Sequence, residues 1–119
     1  MNLVDTSWYS EEMLREFKHV AKAYPKVEEM LNHCHVQIVE SFWGQDKIHF
    51  LPYLSIYYPQ KLRSTVAGQK DIIKKLAQHV GLAQVVCLNA NRLIRDPKSK
   101  LKEVYPYLCQ EINWIATQK

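Results

Sequence analysis

Between Val36 and Tyr58 the chain reads VQIVESFWGQDKIHFLPYLSIYY, and over this stretch its hydropathic period differs from that of everything around it. Val36, Ile38 and Phe42 fall on one side of a period-two pattern. Gly44-Gln45-Asp46 interrupts it, and Ile48, Phe50, Leu54, Ile56 and Tyr58 resume it. Alternation at period two puts one set of side chains on one face of a strand, so the spacing predicts a short antiparallel hairpin over residues 36–58. The flanking segments have helical periods. A two-stranded ribbon cannot hide its own apolar face, which implies an α+β fold with helices packed on the hairpin. The expected cover is the helix containing Phe17 and the last helix. Pro52, which cannot donate to a ladder, implies an edge strand or an interruption with a new segment from Tyr53. An all-α alternative, with Phe50 to Tyr58 helical, competes with this reading.

The helical segments follow in order. Ser10, Glu11 and Glu12 predict a helix start, Met13, Leu14, Phe17, Val20 and Ala21 keep one face, and Pro25 ends it near Tyr24. Trp8 and Tyr9 then sit ahead of that helix, as a staple on its first turn or exposed for a partner. Pro25 opens a shorter helix burying Val27, Met30 and Leu31. After Pro59, residues 60–68 read as a connection. A helix from Gln69 carries Ile72, Ile73, Leu76, Ala77 and Val80 and stops at Gly81. Leu82, Val85, Val86, Ala90, Leu93 and Ile94 continue a helical stripe to Arg95, with a strand over 84–88 as the competing assignment. Asp96-Pro97 caps a last helix with Leu101, Val104, Tyr105, Leu108, Ile112 and Ile115 on one stripe, kinked or restarted at Pro106.

At 119 residues the chain suffices for one domain spanning 1–119 with a core of its own. Cys34, Cys87 and Cys109 are odd in number and widely spaced, which fits a reducing cytoplasm better than a secreted disulfide framework. The opening residues MNLVDTSWYSEE have no basic-then-apolar signal pattern, and no run is long enough to span a membrane, so neither export nor anchoring is expected.

Charge is distributed unevenly. Residues 1–58 carry five Lys or Arg against eight Asp or Glu, a net of −3. Residues 59–102 carry ten Lys or Arg against Asp71 and Asp96, a net of +8, and the remainder adds −1. A local basic region of this size attracts phosphates or an acidic protein face.

Motifs for chemistry are sparse. His33 and His35, one residue apart, suit two metal ligands on a strand, but no second paired cluster completes a site, so neither metal nor cofactor is expected. No glycine-rich phosphate loop, Gly-x-Ser-x-Gly or spaced carboxylate pair occurs. Leu76 to Leu82, with Ala77 and Gly81 four apart, resembles the front of a helix-turn-helix extending over 76–92. Its would-be recognition helix is too apolar to read bases. These observations rank a non-catalytic protein-binding module first, such as an antitoxin, immunity-type inhibitor or regulatory adaptor, with Trp43, Trp114, Tyr53 and Tyr57 as partner-binding anchors. The alternative is a nucleic-acid-binding regulator using Lys74, Lys75, Arg92, Arg95 and Lys98. A small metal-free nuclease with His33, His35 or His49 as proton carrier ranks third.

Overall fold

The computed structural model describes residues 3–40, 42–43, 49–50, 52–96, 103 and 105–118, with side chains at 9–40, 52–96, 103 and 105–118. The elements are α1 (Leu3–Ala21), α2 (Pro25–Leu31), β1 (His35–Val39), β2 (Phe42–Trp43), β3 (His49–Phe50) and β4 (Tyr53–Tyr58). A 3-10 turn (Gln60–Leu62) then leads into α3 (Arg63–His79), β5 (Val85–Asn89), α4 (Ala90–Arg95) and α5 (Pro106–Ala116). This is an α+β fold, as the change of period requires.

The hairpin is present. β1 and β4 pair antiparallel with Val36 opposite Ile56 and Ile38 opposite Leu54, and β2 and β3 continue the ribbon with Phe42 opposite Phe50. Pro52 interrupts it: β3 ends before the proline and β4 begins after it. The Pro52 carbonyl accepts from Ala83 N–H at 2.7 Å, so the interruption becomes the point where a third strand joins.

That third strand corrects the helical reading of 82–95. Residues 85–89 form β5, parallel to β4 from Leu54↔Val85 to Tyr58↔Asn89, giving the sheet order β1-β4-β5. The reason lies in β4, whose residues Leu54, Ser55, Ile56 and Tyr57 are all buried. Its peptide groups need partners on both sides, and β1 supplies only one. The β-branched pair Val85-Val86 favours the extended form that supplies the other. The helix starts at Ala90 instead, capped by the Asn89 side chain, which accepts from Arg92 N–H at 3.2 Å.

The helix-turn-helix likeness ends at its glycine for the same reason. Gly81, at φ 94°, sits one residue past the C-cap of α3. Leu82 N–H reaches Ala77 C=O at 2.9 Å and Gly81 N–H reaches Gln78 C=O at 3.1 Å, and Ala77 and Leu82 are both buried. This is a Schellman ending, which sends the chain into the sheet rather than into a second helix.

Two helix starts also move upstream. α1 begins at Leu3 rather than Ser10, because residues 3–9 contain neither Gly nor Pro to stop it, and the Ser10 hydroxyl donates instead to the Glu40 carboxylate. Trp8 and Tyr9 therefore lie within α1 rather than ahead of it. α3 begins at Arg63, burying Val66 in a turn assigned above to the connection, and tolerates Gly68 in its exposed middle. Pro25 and Pro106 open α2 and α5, so the last segment restarts at Tyr105 as one of the two expected possibilities.

The sheet is covered on both faces. On one, Met13, Phe17, Val27, Met30, Ile73 and Leu76 from α1, α2 and α3 pack on Val36, Leu54 and Ile56. On the other, Ala90 from α4 and Ile112 and Ile115 from α5 close over Tyr57, with Leu88, Leu93 and Leu108 at the margin. Val104 and the residues from Pro97 to Lys102 lie outside the described set.

Ile56 is fully buried in the central strand, so Ile56→Ala should destabilise the protein by about 2–5 kcal/mol in denaturant titration. The glycines should respond in opposite directions. Gly68→Ala, helical with nothing near its added methyl, should raise stability by about 0.5–1 kcal/mol, and Gly81→Ala should lower it by about 1–3 kcal/mol through its positive φ.

Candidate partner-binding surface

α5 combines a fixed side with an aromatic one. Pro106 sets its first turn, since its missing N–H would have no partner there in any case. Leu108, Ile112 and Ile115 then anchor it to the sheet. At its end Thr117 N–H bonds Asn113 C=O at 3.1 Å, and the Thr117 hydroxyl donates to the Trp114 carbonyl at 2.8 Å. Tyr107 and Trp114, seven residues apart, point within about 20° of one another around the helix, two turns apart. They sit beside the anchored stripe. Tyr107 is 83% and Trp114 61% exposed, and Tyr105, just before the helix, is 60% exposed.

Beneath the start of α5 a cleft of about 540 Å³ is lined by Gln37, Glu40, Tyr53, Tyr57, Tyr105 and Leu108, among others. Gln37 amide donates to the Tyr57 hydroxyl at 3.4 Å, and the His35 ring lies 5.7 Å from that of Tyr57. His35 also approaches Gln37 at 3.3 Å and Glu111 of α5 at 4.0 Å. His33 lies before β1 rather than on it, and its Nδ1 faces the Gln118 side chain at 3.3 Å. Both histidines thus reach toward α5 and its end. Among the described residues no group of three or more His, Cys, Asp or Glu is arranged to hold a metal ion.

Of the four proposed anchors, Tyr53 and Tyr57 meet at the cleft, Tyr53 half-buried and Tyr57 only 7% exposed, while Trp114 stands on the outside of α5. The Trp43 backbone pairs with His49, and the side chain lies outside the described residues. Tyr105, placed by periodicity on the apolar stripe, is instead exposed ahead of the helix, and Tyr107 is a surface residue that periodicity does not single out. Pro106 was the available signal, because a helix restarting there turns Tyr105 off the apolar stripe. Lys74 and Lys75 are exposed on α3 and Arg92 and Arg95 on α4. These helices cover opposite faces of the sheet, so the four cations form no single patch. Lys98 lies outside the described residues.

Two of the three thiols, Cys34 and Cys87, face the opposite layer, and Cys109 is on α5. Burial pushes the Cys34 thiol up to about 12, with the nearby Cys87 sulfur adding to the effect, and Cys34 donates to Met30 C=O at 3.2 Å. Burial also raises Cys87, partly offset by the Lys70 ammonium. Among the described residues no helix is long and apolar enough to cross a membrane. Comparison of the chain with protein-family profiles, with curated proteins and with solved structures finds no match.

A raised thiol pKa stabilises the fold fully below the unfolded value, and the contribution is lost as pH rises through the folded one. Stability should therefore fall between pH 9 and about 12, and Cys34→Ser should flatten that limb of the curve. Native alkylation of Cys34 at pH 8 should run at least about a hundredfold slower than in denaturant.

Proposed function

We propose that the protein is a non-catalytic protein-binding module, of the kind represented by antitoxins, immunity-type inhibitors or regulatory adaptors, and that it docks through α5. The observation that carries this reading is the pair Tyr107 and Trp114: two large aromatics, mostly exposed, aligned two turns apart on a helix whose adjacent side is locked to the core. Such residues supply large contact area at low entropic cost and dominate binding energy where they are found at interfaces. A rigid helix also presents them without an ordering penalty on binding. Tyr105 extends the surface toward the cleft, where the Glu40 carboxylate and the polar ends of Gln37 and Tyr53 form a rim. The sequence carries no glycine-rich phosphate loop, Gly-x-Ser-x-Gly or spaced carboxylate pair, which supports ranking a non-catalytic role first. Its three widely spaced cysteines fit a partner met in a reducing compartment, the cytoplasm.

The test is a pull-down from the host at 0.5 M salt, comparing the wild-type protein with Trp114→Ala and Tyr107→Ala. A partner retained by the wild type should be lost from both variants, each raising Kd by about thirtyfold or more, with unfolding midpoints unchanged. Reversal of Lys74, Lys75, Arg92 and Arg95 to Glu should alter mainly the association rate. A nucleic acid that co-purifies, is released by salt alone and is lost on that reversal would overturn the reading in favour of a nucleic-acid-binding regulator.

A further inference from the structure

β5 closes one side of the sheet, and among the described residues no strand pairs with its outer edge. Leu54 N–H donates to Gln84 C=O at 2.9 Å, which sets the phase of the parallel ladder. Successive residues direct their peptide groups to opposite sides. Val86 and Leu88 therefore face β4 as Gln84 does, while the N–H and C=O of Val85 and Cys87 and the N–H of Asn89 face outward. Among the described residues nothing bonds the outward groups of Val85 and Cys87. The strand, Val-Val-Cys-Leu-Asn, is half-buried throughout and contains none of the lysine, proline or bulge features that protect natural edges from pairing.

We propose that the outer edge of β5 is a docking site for an extended acidic segment of another protein, which adds to the sheet as a further strand. Strand addition takes affinity from main-chain bonds and specificity from the groups that flank the edge. The flanks here are basic. Lys70 on α3 lies close enough to Cys87 for its ammonium to act on the thiol, and Lys74 follows one turn later. Over the opposite face α4 leaves directly from Asn89 and exposes Arg92 and Arg95. A second copy of the chain would bring these like charges together, whereas a strand with Asp or Glu on its flanks would neutralise them. The β1 edge differs in sign, with Glu40 at its end and Glu111 beside His35. The arrangement also explains how cations on α3 and α4, helices over opposite faces, can serve one partner: an added strand lies between the two layers and meets both.

The experiment is selection of a random ten-residue peptide display library on the full-length protein, followed by amide hydrogen exchange with the best peptide bound. Selected peptides should combine β-branched residues with acidic ones at both odd and even positions, so that each face of the added strand carries a carboxylate, and should slow exchange at Val85, Cys87 and Asn89. N-methylation along one side of the peptide backbone should weaken binding about tenfold or more. Lys70→Glu combined with Arg92→Glu should weaken it by a similar factor at 50 mM salt and much less at 0.5 M. Trp114→Ala should leave it unchanged, which separates this surface from α5. Absence of enriched peptides, enrichment without acidic residues, or binding that leaves those three amides unprotected would overturn the proposal. So would protection of the same amides by concentration-dependent dimerisation of the protein alone.

Discussion

The structure depends on satisfying the peptide groups of β4. Leu54 to Tyr57 is buried on both faces, so every N–H and C=O of that strand must find a protein partner, and a missing bond there would cost more than most side-chain contacts contribute. β1 meets one side through the hairpin. The other side is met by a segment more than twenty-five residues further on, and bringing it there requires α3 to cross one face of the sheet and end abruptly. The Schellman turn at Gly81 is the local device that ends α3 and sends the chain to β4.

From that arrangement follows the two-layer cover. Leu54 and Ile56 point toward α1, α2 and α3, and Tyr57 points toward α4 and α5. The first layer is the larger core. The second is thinner, held by Ala90, Ile112 and Ile115, and Tyr105, Tyr107 and Trp114, more exposed than Tyr9 or Tyr24 of the first layer, lie on or beside its outer helix. A thin layer over a rigid sheet presents side chains in fixed positions while contributing little to the main core. Tyr107 and Trp114 consequently stand outside the packing that holds this layer to the sheet.

Much of this was legible in the residues themselves. The ribbon, its break at Pro52, the apolar faces of α1, α2, α3 and α5 and the stop at Gly81 all rest on local signals: period, proline geometry and glycine's access to positive φ. The early starts of α1 and α3 were missed because Ser10 and Gly68 mimic boundary residues. Ser10 spends its hydroxyl on Glu40, thirty residues away, and Gly68 lies on the exposed side of α3, where its cost is tolerated. Tyr53 and Trp114 were picked out as candidates by residue type, whereas Tyr107 needed the helix register relative to the sheet.

What the sequence by itself determined is the class of fold and the distribution of charge, since period and composition are properties of neighbours along the chain. Only the tertiary structure decided that Val85 to Asn89 is a strand, because a short apolar run is equally compatible with helix and sheet until a buried neighbour presents unpaired peptide groups. The same holds for the basic segment. Its +8 is a property of residues 59–102, but whether those charges form one patch depends on which face of the sheet each helix covers, and α3 and α4 lie on opposite ones.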